Sequence, residues 1–172
     1  MDTPREFVNL TQMQIRRQQL SLEQALQKAR HYCAYQERCH SEVKEKLYGF
    51  GLRKNDVEEA LSRLIEDNYL NEERFAIQFA GGRFRLKHWG KVRIRYELKQ
   101  KQVGEYCIKK ALAAIGEDDY DHTLTRLAED QWETFQNEEP FIRRQKVQAY
   151  LVRKGYETDR IQAALVQIKE KS

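Results

Sequence analysis

Apolar residues along this chain recur in one register three times over. Val43, Leu47, Val57, Ala60 and Leu61 are matched without a gap by Ile94, Leu98, Ile108, Ala111 and Leu112. They are matched again by Val147, Leu151, Ile161, Ala164 and Leu165. The first two residues of each set are one helical turn apart, and the last three mark one face of a second helix beyond a turn. The anchor leucines Leu47, Leu98 and Leu151 stand 51 and 53 residues apart, a period that belongs to stacked helical units.

The polar punctuation agrees with that period. Ser21 and Gln24 form a capping-box pattern ahead of an apolar face of Leu22, Ala25, Leu26, Ala29 and Cys33. Ser41 is placed to cap a second helix, Gly51 falls where its left-handed terminus belongs, and Asn55 with Glu58 opens a third. The second unit begins at Asn71, with Glu72 and Glu73 favourable to a helix N-terminus, and uses Phe75, Ala76 and Phe79 as its apolar face. Trp89-Gly90 and Gly104 break it into three helices. The third unit starts around Asp118 to Asp121, runs through Leu124, Leu127, Ala128, Gln131, Trp132 and Phe135, and breaks at Pro140. Gly155 occupies the same repeat position as Gly51. The expected fold is all-α: three tandem three-helix units in an elongated, curved array, over residues 21–70, 71–116 and 117–172. Residues 1–20 lack the register and read as a tail or a marginal helix that orders on a partner.

Composition strengthens the helical reading. Charged residues make up 34% of the 172 and hydrophobic residues 40%, with only 2 prolines and 8 glycines, so a narrow core under a large charged surface is expected. Gly81-Gly82 stands out, because each glycine costs a helix interior about 1 kcal/mol relative to alanine. Close packing against a neighbouring helix or a helix end acting as a hinge would each account for it. Cys33, Cys39 and Cys107 have no paired spacing. Together with the lack of a recognisable secretory signal, they point to free thiols in a reducing compartment, with the cytoplasm as the expected location. No run approaches the length of a membrane span.

The net charge of +4 conceals strong segregation. Between Arg83 and Lys101 lie Arg83, Arg85, Lys87, Lys91, Arg93, Arg95, Lys99 and Lys101 against the single acid Glu97. Glu117 to Glu139 holds nine acids against Arg126, and Arg143 to Lys154 holds Arg143, Arg144, Lys146, Arg153 and Lys154 with no acid. Such a chain can present one surface to a polyanion and another to basic protein groups; solvated helix faces are the plainer explanation. On a helix, Lys91, Arg95 and Lys99 fall on one stripe beside the apolar Ile94 and Leu98. These thirteen basic residues are the candidate binding set, chosen on charge alone. Trp89 beside them is read as core in preference to partner-facing.

Signals for catalysis are missing from the sequence. It contains no phosphate-binding glycine loop, no dinucleotide fingerprint and no His-Glu-x-x-His pair. His31, Cys33, Cys39 and His40 match no familiar zinc spacing, and Gly49-x-Gly51 is explained by a helix end. No enzyme activity, cofactor or metal is expected.

The ordered set Arg38-x2-Ser41-Glu42-Val43-x3-Leu47, Asn68-Tyr69-Leu70-Asn71-x2-Arg74-Phe75-Ala76 and Gly90-x2-Arg93-Ile94-x3-Leu98 resembles the bacterial RecX regulatory proteins. The resemblance covers residues 21–168 and includes the threefold repeat. It departs at Asn71, where an acid is frequent, and at Gly81-Gly82. It implies a regulator of homologous recombination and DNA repair that lies along the groove of the RecA nucleoprotein filament; separately, a monomer is the expected state, which the sequence does not fix. ATPase, strand-exchange and coprotease activities would be restrained, some members binding single- or double-stranded DNA directly, away from any membrane. It carries over no catalytic residues. A free-standing helical nucleic-acid-binding protein is the main alternative, and a helical scaffold for another partner is the next.

Overall fold

The computed structural model describes residues 19–171 and, among them, contains helices and no strand. The expectation for residues 1–18 lies outside the described residues. The helices are α1 (Leu22–Tyr35), α2 (His40–Gly49), α3 (Lys54–Glu66), α4 (Glu72–Lys87), α5 (Lys91–Gln100), α6 (Glu105–Ala113), α7 (Glu117–Thr134), α8 (Pro140–Lys154) and α9 (Thr158–Lys171). Helices in extended close contact always belong to one triplet: α1–α3, α4–α6 or α7–α9. Three tandem three-helix units result. Of the fifteen register residues, all but Leu61 are buried.

Local chemistry explains most of the boundaries. Ser21 Oγ accepts from Gln24 N while Gln24 returns a bond to Ser21 N, completing the capping box. Asn71 Oδ1 accepts from Arg74 N at 2.8 Å. The expected cap of α2 is corrected: Cys39 is its N-cap residue, and Ser41 lies inside the helix, where its hydroxyl donates to the Lys101 carbonyl at 2.8 Å. Likewise α3 starts one residue before Asn55, with Arg53 at its cap, and α7 starts at Glu117. Gly81 and Gly82 lie inside α4, five residues or more from its C-terminus, so they do not mark a helix end. Gly82 has nothing near its absent Cβ, and the atoms nearest that of Gly81 belong to the Arg85 guanidinium of the same helix, so close packing against a neighbouring helix does not account for the pair.

One backbone device repeats. Gly51, Gln102 and Gly155 occupy the same register position and share positive φ (85°, 60° and 93°), ending the second helix of each unit. That end is where the preceding unit docks. The start of α2 meets the end of α5 through Ser41 on the Lys101 carbonyl and Lys101 on Glu42 (2.6 Å). The start of α5 meets the end of α8 more closely: Gly90 N donates to the Lys154 carbonyl (2.8 Å) and Val92 N to the Gly155 carbonyl (3.0 Å). A methyl group on Gly90 would stand 2.1 Å from the Gly155 carbonyl oxygen, so backbone touches backbone only because both residues are glycine.

The two joints differ in kind. Units two and three share one core, threaded by the Phe84, Tyr120 and Tyr156 rings with centroids 5.7 and 5.1 Å apart. Unit one keeps its own core of Leu26, Val43, Leu47, Val57, Leu64 and neighbours, and lends only Cys39 to the larger one. Its attachment is otherwise polar, with Arg74 on Glu37 at 2.5 Å and His40 facing Glu72 at 3.8 Å.

Candidate partner-binding surface

The thirteen basic residues divide by what already neutralises them. Lys91 pairs with Glu117, Arg95 and Lys99 with Glu105, Lys101 with Glu42 and Lys146 with Glu138. These pairs leave their mark on the acids. The Glu117 carboxyl is held below the usual range by hydrogen bonds from Lys91 and Arg160. At Glu105 desolvation works in the opposite direction but is outweighed by the Arg95 bond and the nearby lysines. The stripe of Lys91, Arg95 and Lys99 is thus largely satisfied within the molecule, and a partner must compete for it.

Arg83, Arg85, Lys87, Arg93, Arg143, Arg144, Arg153 and Lys154 have no carboxylate partner among the described residues. Four of them, Arg83, Lys87, Arg93 and Lys154, converge on the joint between units two and three, where Arg153 offers its backbone carbonyl. From the α4 face, guanidinium and aromatic groups alternate. Arg83 lies 4.9 Å from the Phe79 ring and 5.3 Å from Trp89, and Arg93 covers Trp89 at 4.1 Å. Lys87 stands 5.7 Å from the same indole. Arg93 then donates to the Arg153 carbonyl at 3.2 Å, and Lys154 Nζ donates to the Lys87 carbonyl at 3.0 Å. The ends of α4 and α8 meet here, so backbone carbonyls rather than carboxylates hold the cations. A guanidinium stacked on an aromatic face keeps its N–H edge free for a phosphate or carboxylate.

Trp89 is therefore half-buried: it packs against the core and supports the cations. Phe79, which its spacing assigns to the core, also carries the Arg83 guanidinium on its ring face, a contact no sequence signal announces. Arg143 and Arg144 sit apart, on the far end of unit three, with Arg143 over Trp132 at 4.2 Å and Arg144 donating to Gln162 at 2.6 Å. Arg85 contacts its own helix near Gly81.

A hydroxyl bridge also ties the two units at this joint. Tyr120 accepts from Lys91 N at 2.8 Å and donates to Glu157 at 2.6 Å. Burial, then the Glu157 carboxylate, raises its pKa far above the ordinary phenol value, so it stays protonated and donating. Among the described residues no group of three or more His, Cys, Asp or Glu is placed to hold a metal ion, and no helix is long and apolar enough to cross a membrane.

Comparison with known proteins places this architecture. Residues 71–112 match the family described as RecX, second three-helix domain, and residues 117–165 match RecX, third three-helix domain. The regulatory protein RecX of Bacillus cytotoxicus is 28% identical over 149 residues, covering 87% of this chain and 55% of that protein. That of Clostridium perfringens is 30% identical over 120 residues, covering 69% and 56%. The chain thus spans about half the length of the curated relatives it matches. A crystal structure of RecX from Lactobacillus salivarius superposes with a TM-score of 0.80 at 20% identity, covering 86% of this chain and 96% of that one. A crystal structure of a regulatory protein RecX gives 0.75 at 25% identity, covering 82% and 70%.

Proposed function

The chain belongs to the RecX family, and from that premise we propose that it is a non-enzymatic regulator of recombination acting on the RecA nucleoprotein filament. Residues 21–70, 71–116 and 117–172 serve as three consecutive units laid along the groove of that filament in the cytoplasm. The protein restrains RecA's ATPase, strand-exchange and coprotease activities.

One observation carries the reading beyond the family: the alternating cation and aromatic surface of Arg83, Lys87, Arg93 and Lys154 around Trp89, with Arg153 next to it in sequence. It lies on the joint of units two and three, with no carboxylate among the described residues to satisfy it. Contact there with phosphates, or with acidic side chains in the groove, lets one molecule bridge neighbouring protomers and block filament growth or entry of a second strand. Lys91, Arg95, Lys99, Lys101 and Lys146 contribute after exchanging their internal partners. Arg85, Arg143 and Arg144 extend the basic surface.

The test is RecA's single-stranded-DNA-dependent ATPase with this protein titrated in. Inhibition well below one molecule per RecA supports blocked growth. No inhibition at stoichiometric excess refutes the reading and favours the free-standing nucleic-acid binder.

A further inference from the structure

The three cysteines of the chain, Cys33, Cys39 and Cys107, all stand near the joint of units one and two, each beside one of its polar contacts. Cys39 is the N-cap residue of α2, and its Sγ lies 3.1 Å from the Ser41 hydroxyl that donates to the Lys101 carbonyl. Cys107 lies against Glu72, the acid that faces His40. Cys33 feels the charges of Glu37 and Arg74, the third contact.

The three thiols are shielded in different ways. Cys33 is buried in unit one's own core. Desolvation there pushes the thiol up to about 11, and only unfolding of that unit uncovers it. Cys107 is half-buried on α6, with burial and then Glu72 raising its pKa. Cys39 is fully buried too, yet in the core of units two and three and not in that of its own unit. Its cover is therefore the neighbouring unit, and parting the joint exposes it while unit one stays folded. Two of the contacts that resist parting, Lys101 on Glu42 and Arg74 on Glu37, are partly exposed ion pairs, which salt weakens.

We propose that Cys39 is a modification site for low-molecular-weight disulfides, and that the adduct wedges unit one away from unit two. With the joint parted, the Cys39 thiolate attacks one sulfur of a disulfide RS–SR. The S–S bond of that molecule breaks and a bond forms between Cys39 Sγ and one of its sulfurs. The other half leaves as RS⁻ and takes up the proton that Cys39 gave. In the closed joint Cys39 is 0% exposed and meets Ser41 Oγ at 3.1 Å, so a group of several heavy atoms on Sγ has no room there. The joint then stays parted until a free thiol reverses the exchange. The thiol state of the surroundings thereby sets whether the chain acts as one body or as two. The site follows from this joint alone, so a chain without effect on RecA would still carry it.

Trypsin places the three thiols in separate peptides, residues 31–38, 39–44 and 102–109, so mass spectrometry after a pulse of iodoacetamide reads each one in the full native protein. Cys39 should label faster than Cys33, and salt should speed Cys39 without speeding Cys33. Lys101→Glu turns the pair with Glu42 into a repulsion and should raise Cys39 labelling about tenfold, again leaving Cys33 unchanged. Circular dichroism verifies that the variant folds. Cystamine is the disulfide probe: it should add to Cys39 and increase the radius of gyration in small-angle X-ray scattering. Dithiothreitol should reverse both changes, and Cys39→Ser should abolish the increase. Labelling of Cys39 only in step with Cys33, across salt and in Lys101→Glu, overturns the proposal, because the joint then parts only on unfolding. A Cys39 adduct that leaves the radius unchanged overturns it too, as does an increase that persists in Cys39→Ser.

Discussion

Gly82 and Gly90, eight residues apart in the sequence, should respond oppositely to the same substitution. A methyl group added at Gly90 lies 2.1 Å from the Gly155 carbonyl oxygen and 2.4 Å from Tyr156 N. Both are backbone atoms of a shared core, so relief requires units two and three to separate. Separation loses the bonds from Gly90 N and Val92 N to the end of α8, worth about 1 kcal/mol each. Strain of about 1–3 kcal/mol in what remains adds to this. Gly90→Ala should therefore destabilise by roughly 3–5 kcal/mol, lowering the melting temperature by on the order of 10 °C for a chain of this size. Gly82→Ala meets nothing within 4 Å, inside α4, and should stabilise by about 0.5–1 kcal/mol through helix propensity. Urea unfolding followed by circular dichroism, with the heteronuclear spectrum to locate the damage, measures both. If Gly90→Ala unfolds within 0.5 kcal/mol of the parent on the ~1 kcal/mol scale of a single hydrogen bond, the close backbone joint does not hold the units together.

Three further outcomes follow from the same surfaces. Charge reversal at Arg83, Arg93 and Lys154 together should weaken RecA inhibition and flatten its salt dependence more than reversal at Lys91, Arg95 and Lys99, whose charges are already matched; equal effects across a salt series would refute the distinction. Tyr120→Phe removes the hydroxyl between Lys91 N and Glu157 and should cost about 1–3 kcal/mol in urea unfolding, since a buried donor loses its acceptor. The Glu117 carboxyl is held low by Lys91 and Arg160, so its contribution is fully present above the unfolded carboxylate value of roughly 4.3 and is lost as pH falls through the lower folded value. Glu117→Gln should remove that part of the acid destabilisation, read from unfolding midpoints across pH 3 to about 6.

The helices and their stacking were legible because burial imposes a period on the sequence. Val43, Ile94 and Val147 must all face inward, and no surface role produces the same spacing by accident. Caps whose partner lies within three residues were equally readable, as Ser21 and Asn71 show. Features set by distant contacts were not. Ser41 looks like a cap, yet its hydroxyl is taken by the Lys101 carbonyl, sixty residues away. Gln102 adopts the backbone conformation of Gly51 and Gly155 without the residue type that would announce it. The charge runs were visible as well, but which cations remain unmatched was not, because the acids for Lys91 and Lys101 come from elements 26 and 59 residues away. The cation and aromatic surface appears only when the end of α8 is brought against the start of α5.

Unit one's separate core and polar attachment bear on how a long partner is released. A body fused over two units and tethered at the third leaves in stages: the tethered third lifts while the fused part keeps its grip. Each lifting exposes a stretch of partner that a competitor can claim before the third settles again. Departure then becomes faster as competitor is added, whereas a single rigid body would leave at a rate indifferent to it.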